Sequence, residues 1–142
     1  MAKKFCTTGT CIPEKNYIAG SFSIDPAVLV DDDHEAYIYF GGLWGGQLEK
    51  WKTGVFDENA TEPDPDENAV GPRVARLRDD MLGFAEDVKE IVILDENGEP
   101  LKAGDEDRRY FEGPWMHKYQ GKYYFSYSTG TTHKIVYAVG DD

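Results

Sequence analysis

The chain has 142 residues, of which 40% are hydrophobic and 30% charged, a balance that fits one folded domain with its own core and excludes a disordered segment. Its 27 acidic residues outnumber 15 Lys and Arg, for a formal net charge of −12; that field repels phosphate backbones, so nucleic acid is not an expected partner, whereas a neutral polymer such as a polysaccharide stays open. No apolar run approaches the roughly 20 residues that span a bilayer, and no apolar stretch follows Lys3-Lys4, so the expectation is no membrane segment, no secretory signal and a cytoplasmic location.

Residues 1–20 show no clear period and carry Cys6 and Cys11. Two cysteines without a second pair do not make a zinc site, and a disulfide between them would close too short a loop to stabilise much, so free thiols are expected. From Phe22 the pattern turns β. Ala27-Val28-Leu29-Val30 and Ala36-Tyr37-Ile38-Tyr39-Phe40 are rich in strand formers and are joined by the acidic turn Asp31-Asp32-Asp33-His34, which reads as a hairpin. Asp31-Asp32-Asp33 lacks the alternating ligands and the later Glu of a calcium loop, and His34 tolerates the left-handed backbone a tight turn needs.

Gln47 to Lys52 alternates polar and apolar and predicts a third strand. Residues 57–72, dense in Asp, Glu and Pro, read as a surface excursion. Arg73 to Arg78 alternates again, Asp79 to Glu86 reads as one or two helical turns, and Ile91-Val92-Ile93-Leu94 as a strand running into the turn Asp95-Glu96-Asn97-Gly98. The last third is a meander of three strands: Trp115 to Tyr119, Lys122 to Tyr127 and Lys134 to Ala138, with Gln120-Gly121 and Ser128-Thr129-Gly130 as connections. Eight or nine short strands with at most one small helix predict an all-β sandwich, barrel or propeller, and periodicity does not choose among them.

Two carboxylates stand in unusual settings. Asp25 in Ser23-Ile24-Asp25-Pro26 and Glu112 in Phe111-Glu112-Gly113-Pro114-Trp115 each head a strand, and each is followed closely by a proline that stiffens the backbone. Gly113 would permit close approach of a chain or ligand. In strands radiating from an axis, such positions converge and could work as an acid and its partner. Trp44, in the glycine-rich Gly42-Leu43-Trp44-Gly45-Gly46, is a candidate for stacking on a ligand ring. Arg108 and Arg109 are candidates for bonding ligand hydroxyls. Trp51 and Trp115 read as core residues, with Trp115 also kept as a candidate ligand contact. His117 and His133 are too dispersed for a metal site, and no cofactor, calcium included, is called for by these residues.

Ile24-Asp25-Pro26, then Asp31-Asp32-Asp33 and Tyr37-Ile38-Tyr39, then Glu112-Gly113-Pro114, then Tyr119-Gln120-Gly121-Lys122-Tyr123-Tyr124-Phe125-Ser126-Tyr127-Ser128, taken together, resemble glycoside hydrolase family 43 from about Phe22 to Ala138. The resemblance implies a five-bladed β-propeller and inverting hydrolysis of xylosidic or arabinosidic bonds in xylo- or arabino-oligosaccharides. By motif it implies Glu112 as the general acid and Asp25 as the residue that orients the acid and adjusts its pKa, since a neighbouring negative charge disfavours ionisation of a carboxyl. The family's third carboxylate, the general base, lies well upstream of the Asp-Pro motif. Here 24 residues precede Asp25 and Glu14 is the only acidic one among them. The sequence thus reads as a middle piece of two to three blades. Two copies completing a ring, with Glu14 or a loop Asp in place of the base, is one expectation; a catalytically incomplete, sugar-binding or structural piece is the other.

Overall fold

The computed structural model describes residues 17–141, so Cys6, Cys11 and Glu14 lie outside the described residues. The chain is all-β. Strands β1 (Ala27–Val30), β2 (Ala36–Phe40), β3 (Arg73–Arg76) and β4 (Lys89–Glu90) form one antiparallel sheet in sequential order, and β5 (Tyr110–Tyr119), β6 (Lys122–Thr129) and β7 (Ile135–Gly140) form a second. β5 packs against β1 and β2, so the two sheets stand as neighbouring blades, the lower end of the expected two to three.

The middle of the first sheet, β2 and β3, is packed on both faces, while Val28 and Val30 of β1 are exposed. Tyr39 joins Leu43, Leu48, Val70, Tyr110, Phe111, Phe125 and Tyr127 in a core between the sheets. Ala36, Ile38, Phe40, Ala75 and Leu77 build a second core on its other side, with Phe22 and Phe84 packed against them. This double burial is why β2 reads as a continuous run of strand formers rather than an alternation. The second sheet is one-sided. Met116, Phe125, Tyr127 and Val136 face the inter-sheet core, whereas Trp115, Tyr119, Ile135, Tyr137 and Val139 are exposed. A ladder of rings, Trp115–His117 at 5.1 Å, His117–Tyr124 at 5.3 Å and Tyr124–Tyr137 at 5.9 Å, runs across that outer face. Trp115 is therefore not a core residue: strand alternation puts it opposite the inward Met116. Trp51 does pack, stacked on Phe22 at 4.6 Å and 7°.

Three expected elements differ. Gln47 to Lys52 is not a strand: Trp44–Gly46 and Leu48–Trp51 are short 3-10 turns. Leu48 and Trp51 are three residues apart, the period of a 3-10 turn, and Gln47 at φ 56° breaks any extended path. Residues 79–86 form no helix. Arg78 N–H donates to Gly83 O (2.9 Å) and Ala85 N–H to Arg76 O (2.8 Å), extending β3 into an irregular hairpin. The run 91–94 leaves the sheet after Ile91 N–H donates to Pro72 O at 2.9 Å, because Pro72 has no N–H to continue the ladder. It folds back instead through Leu101 N–H to Ile93 O at 3.0 Å.

The tight turns follow their sequence signals. His34 takes φ 68°, and Gln120 and Gly121 take φ 51° and 77°, the paired positive values of a two-residue hairpin turn. The acidic turn also joins the blades. Lys118 of β5 reaches Asp31 at 3.1 Å and Asp32 at 2.9 Å, lies over the Tyr123 ring, and the Tyr123 hydroxyl donates to Asp31. That hydroxyl, ahead of the Asp32 N–H and Lys118, holds the Asp31 carboxyl below its ordinary value of 3.8. A depressed carboxyl stabilises the fold above its unfolded value and loses that contribution as pH falls through the folded one. Asp31→Asn is therefore expected to lower stability by roughly 1 kcal/mol at neutral pH, with the difference from the parent shrinking below about pH 4; urea melts at several pH values check this.

Candidate active site

The site is assembled by a three-residue backbone crossing. Where β2 ends, Gly41 takes φ 124°, a value open in practice only to glycine. Gly41 N–H donates to Ile24 O at 2.8 Å, and Leu43 N–H donates to Phe111 O at 2.9 Å. Between them, Ser23 Oγ accepts from Gly42 N–H at 2.9 Å and donates to Gly42 O at 3.2 Å. The buried Tyr110 hydroxyl donates to Gly41 O. Residues 41–43 thus tie the segment before β1 to the start of β5, and these two segments carry Asp25 and Glu112.

Asp25 is exposed and sits at φ 57°. Pro26 closes the right-handed helical region to it, and Asp tolerates the left-handed one. Glu112 is half-buried and lies inside β5, opposite Ser128. Register shifts fall on both sides of it, between Tyr110 and Glu112 and between Glu112 and Trp115. Bulges of this kind re-aim a side chain away from the ladder. Pro114 is fully buried and anchors the far side. Gly113 takes φ 67°, where glycine is favoured, and a Cβ there would meet open space.

Both carboxylates act on one group. Burial first, then the charges of Asp25 and Glu112, push the Tyr110 hydroxyl far above the ordinary tyrosine range. Tyr110 therefore stays a neutral donor. A Cβ at Gly42 would lie 3.3 Å from the Glu112 Cβ, which places the crossing directly beside the acid.

The aromatic and basic candidates divide. Trp44 belongs to this region: its ring meets Phe111 edge-on at 5.0 Å and 85°, its backbone N–H donates to the buried Glu49 at 3.0 Å, and it stays 51% exposed. Arg109 is corrected. Its side chain is 5% exposed and pairs with Glu62 at 3.1 Å, so it is not presented to a sugar. Arg108 is bound by Asp105 and Glu96, each at 2.7 Å. Trp115 is exposed, and its ring contact among the described residues is with His117. His133 meets Phe111 edge-on. Among the described residues no three His, Cys, Asp or Glu side chains gather to hold a metal ion. The sequence reading missed Ser23, Tyr110, Glu49 and Glu62. Glu62 in particular is one acid among many in the excursion, and nothing local sets it apart.

The prediction from this geometry concerns Gly42. A methyl there would meet the Ile24 Cγ1 at 2.8 Å. Gly42→Ala is expected to cost about 1–3 kcal/mol through overpacking, and adding Ile24→Ala is expected to restore part of it, as measured by denaturant melts of the single and double variants.

Comparison with known proteins places this arrangement. The chain matches the glycosyl hydrolases family 43 over residues 7–141. It is 58% identical over 134 residues to a xylosidase/arabinosidase of Bacteroides ovatus, covering 94% of this chain and 41% of the relative. It is 61% identical to xylosidase/arabinosidase 43A of Humicola insolens, covering 90% and 41%. Among solved structures it superposes with a TM-score of 0.86 and 56% identity on an enzyme of this family from Xanthomonas citri complexed with xylotriose, covering 88% of this chain and 38% of that one. A β-xylosidase/α-arabinofuranosidase from a compost microbial metagenome, also in complex with xylotriose, gives 0.83 and 60%, covering 88% and 39%. The chain thus spans about two fifths of the length of these relatives, and its two sheets are part of a β-propeller. With a match that runs through both carboxylate motifs and the crossing that joins them, the chain belongs to the glycosyl hydrolases family 43.

Proposed function

We propose that this chain carries the acid half of a glycosidase site that cleaves xylosidic or arabinosidic bonds with inversion. The observation that carries the reading is the crossing at residues 41–43, which brings Asp25 and Glu112 into the field of the one buried Tyr110 hydroxyl. Two relatives named for xylosidase/arabinosidase activity and two solved neighbours holding xylotriose support the substrate class.

In this reading Glu112 protonates the departing glycosidic oxygen as the bond to the anomeric carbon breaks. Its aim is fixed by the two bulges and by Pro114, so little motion is needed at the moment of transfer. Asp25 is the charge that orients the acid. Inversion requires a second carboxylate about 6.5–9.5 Å from the acid to hold the attacking water. The described residues supply no motif for that base, and in this reading Glu14 or an Asp of the acidic loops takes its place where two copies complete a ring. In this reading a second copy would meet the outer face of the second sheet, which Trp115, Tyr137, Ile135 and Val139 line.

The test compares two leaving groups. Nitrophenol departs with little help from a proton, whereas the sugar of xylobiose needs one. Glu112→Gln is expected to lose about 100-fold or more on xylobiose and much less on aryl β-xyloside or aryl α-arabinofuranoside. Equal losses on both would remove Glu112 from the acid role. No turnover by the parent chain on either substrate between pH 5 and 8 would leave a sugar-binding piece without catalysis. For the second copy, light scattering at rising concentration is expected to show a dimer that Tyr137→Lys dissociates; a monomer at all concentrations overturns it.

A further inference from the structure

The excursion over residues 57–72 places Glu62 between two side chains of different kinds. Its Oε2 pairs with Arg109 Nη1 at 3.1 Å, and its Oε1 accepts the indole Nε1–H of Trp44. Arg109 is almost fully buried, its Nε without a partner, and Gly130 leaves the slot in which it lies, since a Cβ there would come within 3.3 Å of Nε. A guanidinium so enclosed cannot swing toward solvent, so it holds Glu62 in one place. Burying such a charge costs more than an exposed pair returns in stability, and its gain is fixed geometry.

Trp44 is then held at three points: the indole N–H on Glu62, the backbone N–H on Glu49 at 3.0 Å, and the ring edge on Phe111 at 5.0 Å. Its backbone lies at φ 53°, which an unsupported tryptophan avoids. Half of its surface nevertheless stays open. A large ring that is both pinned and exposed, with its edge on Phe111, the residue that precedes Glu112, is built to be touched rather than to fill space.

We propose that Glu62 is a positioning residue: clamped by the buried Arg109, it sets the indole of Trp44 as a platform on which a pentose ring rests beside Glu112. The proposal rests on the sugar reading above for the identity of the ligand. The relay itself stands on the contacts alone.

The experiment uses the whole chain labelled with 15N. Its three tryptophans (Trp44, Trp51 and Trp115) give three indole N–H signals, and Trp44→Phe identifies one of them. Glu62→Ala is expected to move the Trp44 signal alone, with Trp51 and Trp115 unmoved as the check that the fold survives. Titration with xylotriose is expected to show about tenfold weaker binding for Glu62→Ala and near-parental binding for Glu62→Gln, which keeps an oxygen for the indole. The double variant Trp44→Phe/Glu62→Ala is expected to bind no more weakly than Trp44→Phe alone, the signature of two residues acting as one. An unmoved Trp44 signal in Glu62→Ala overturns the relay whatever the sugar does. Parental xylotriose affinity in Glu62→Ala overturns the platform while leaving the sugar reading intact. A parent chain that binds no xylotriose overturns the platform and the sugar reading together.

Discussion

The arrangement depends on a backbone contact rather than on a side chain: the crossing of residues 41–43 between Ile24 and Phe111. Gly41 and Leu43 donate to carbonyls on opposite sides, and Ser23 and Tyr110 occupy the polar groups left over. Buried backbone groups must be paired, so the crossing has one low-energy register. Sliding it by one residue would leave donors unmet and put a side chain where Gly42 leaves no room. The two carboxylates inherit their placement from this register.

Around that seam the two sheets have different tasks. The first is packed on both faces along β2 and β3 by the two cores and behaves as a foundation. The second is sealed on one face and open on the other. Charged groups supplement the seam at a distance, where Lys118 gathers Asp31 and Asp32 onto β5. Burial also raises Tyr39 and Tyr127 to about 12, so the phenols of the inter-sheet core remain neutral over the ordinary pH range and add no charge to a chain that already carries a large negative excess.

Much of this was readable from the residues. β1, β2, β3 and the final meander fell where strand formers cluster, and His34 and Gln120-Gly121 announced their turns, because those signals are local. The resemblance singled out Asp25 and Glu112 by their proline-stiffened settings. What escaped was set by contacts distant in sequence. Gln47 to Lys52 looked like a strand, but Gln47 at φ 56° turns the chain, and Leu48 and Trp51, three residues apart, fall on one side of a 3-10 turn. Ile91 to Leu94 looked like a full strand, but its partner at Pro72 had no donor to offer. Arg109 looked like a sugar contact because an arginine near an acid motif suggests one. Only the fold shows that Glu62, 47 positions upstream, claims it first.

The last strand has a consequence of a colloidal kind. Among the described residues β7 is the edge of its sheet, and Ile135-Val136-Tyr137-Ala138-Val139-Gly140 contains no charge and no proline. An uncharged edge of this length is a template for adding strands from other chains. The charges that bracket it, Lys134 and Asp141, are engaged with Asp107 at 2.6 Å and Lys122 at 2.9 Å. They therefore guard the ends of the edge rather than its middle. Dispersal of the chain in solution falls to its net negative charge, a long-range repulsion that added salt screens.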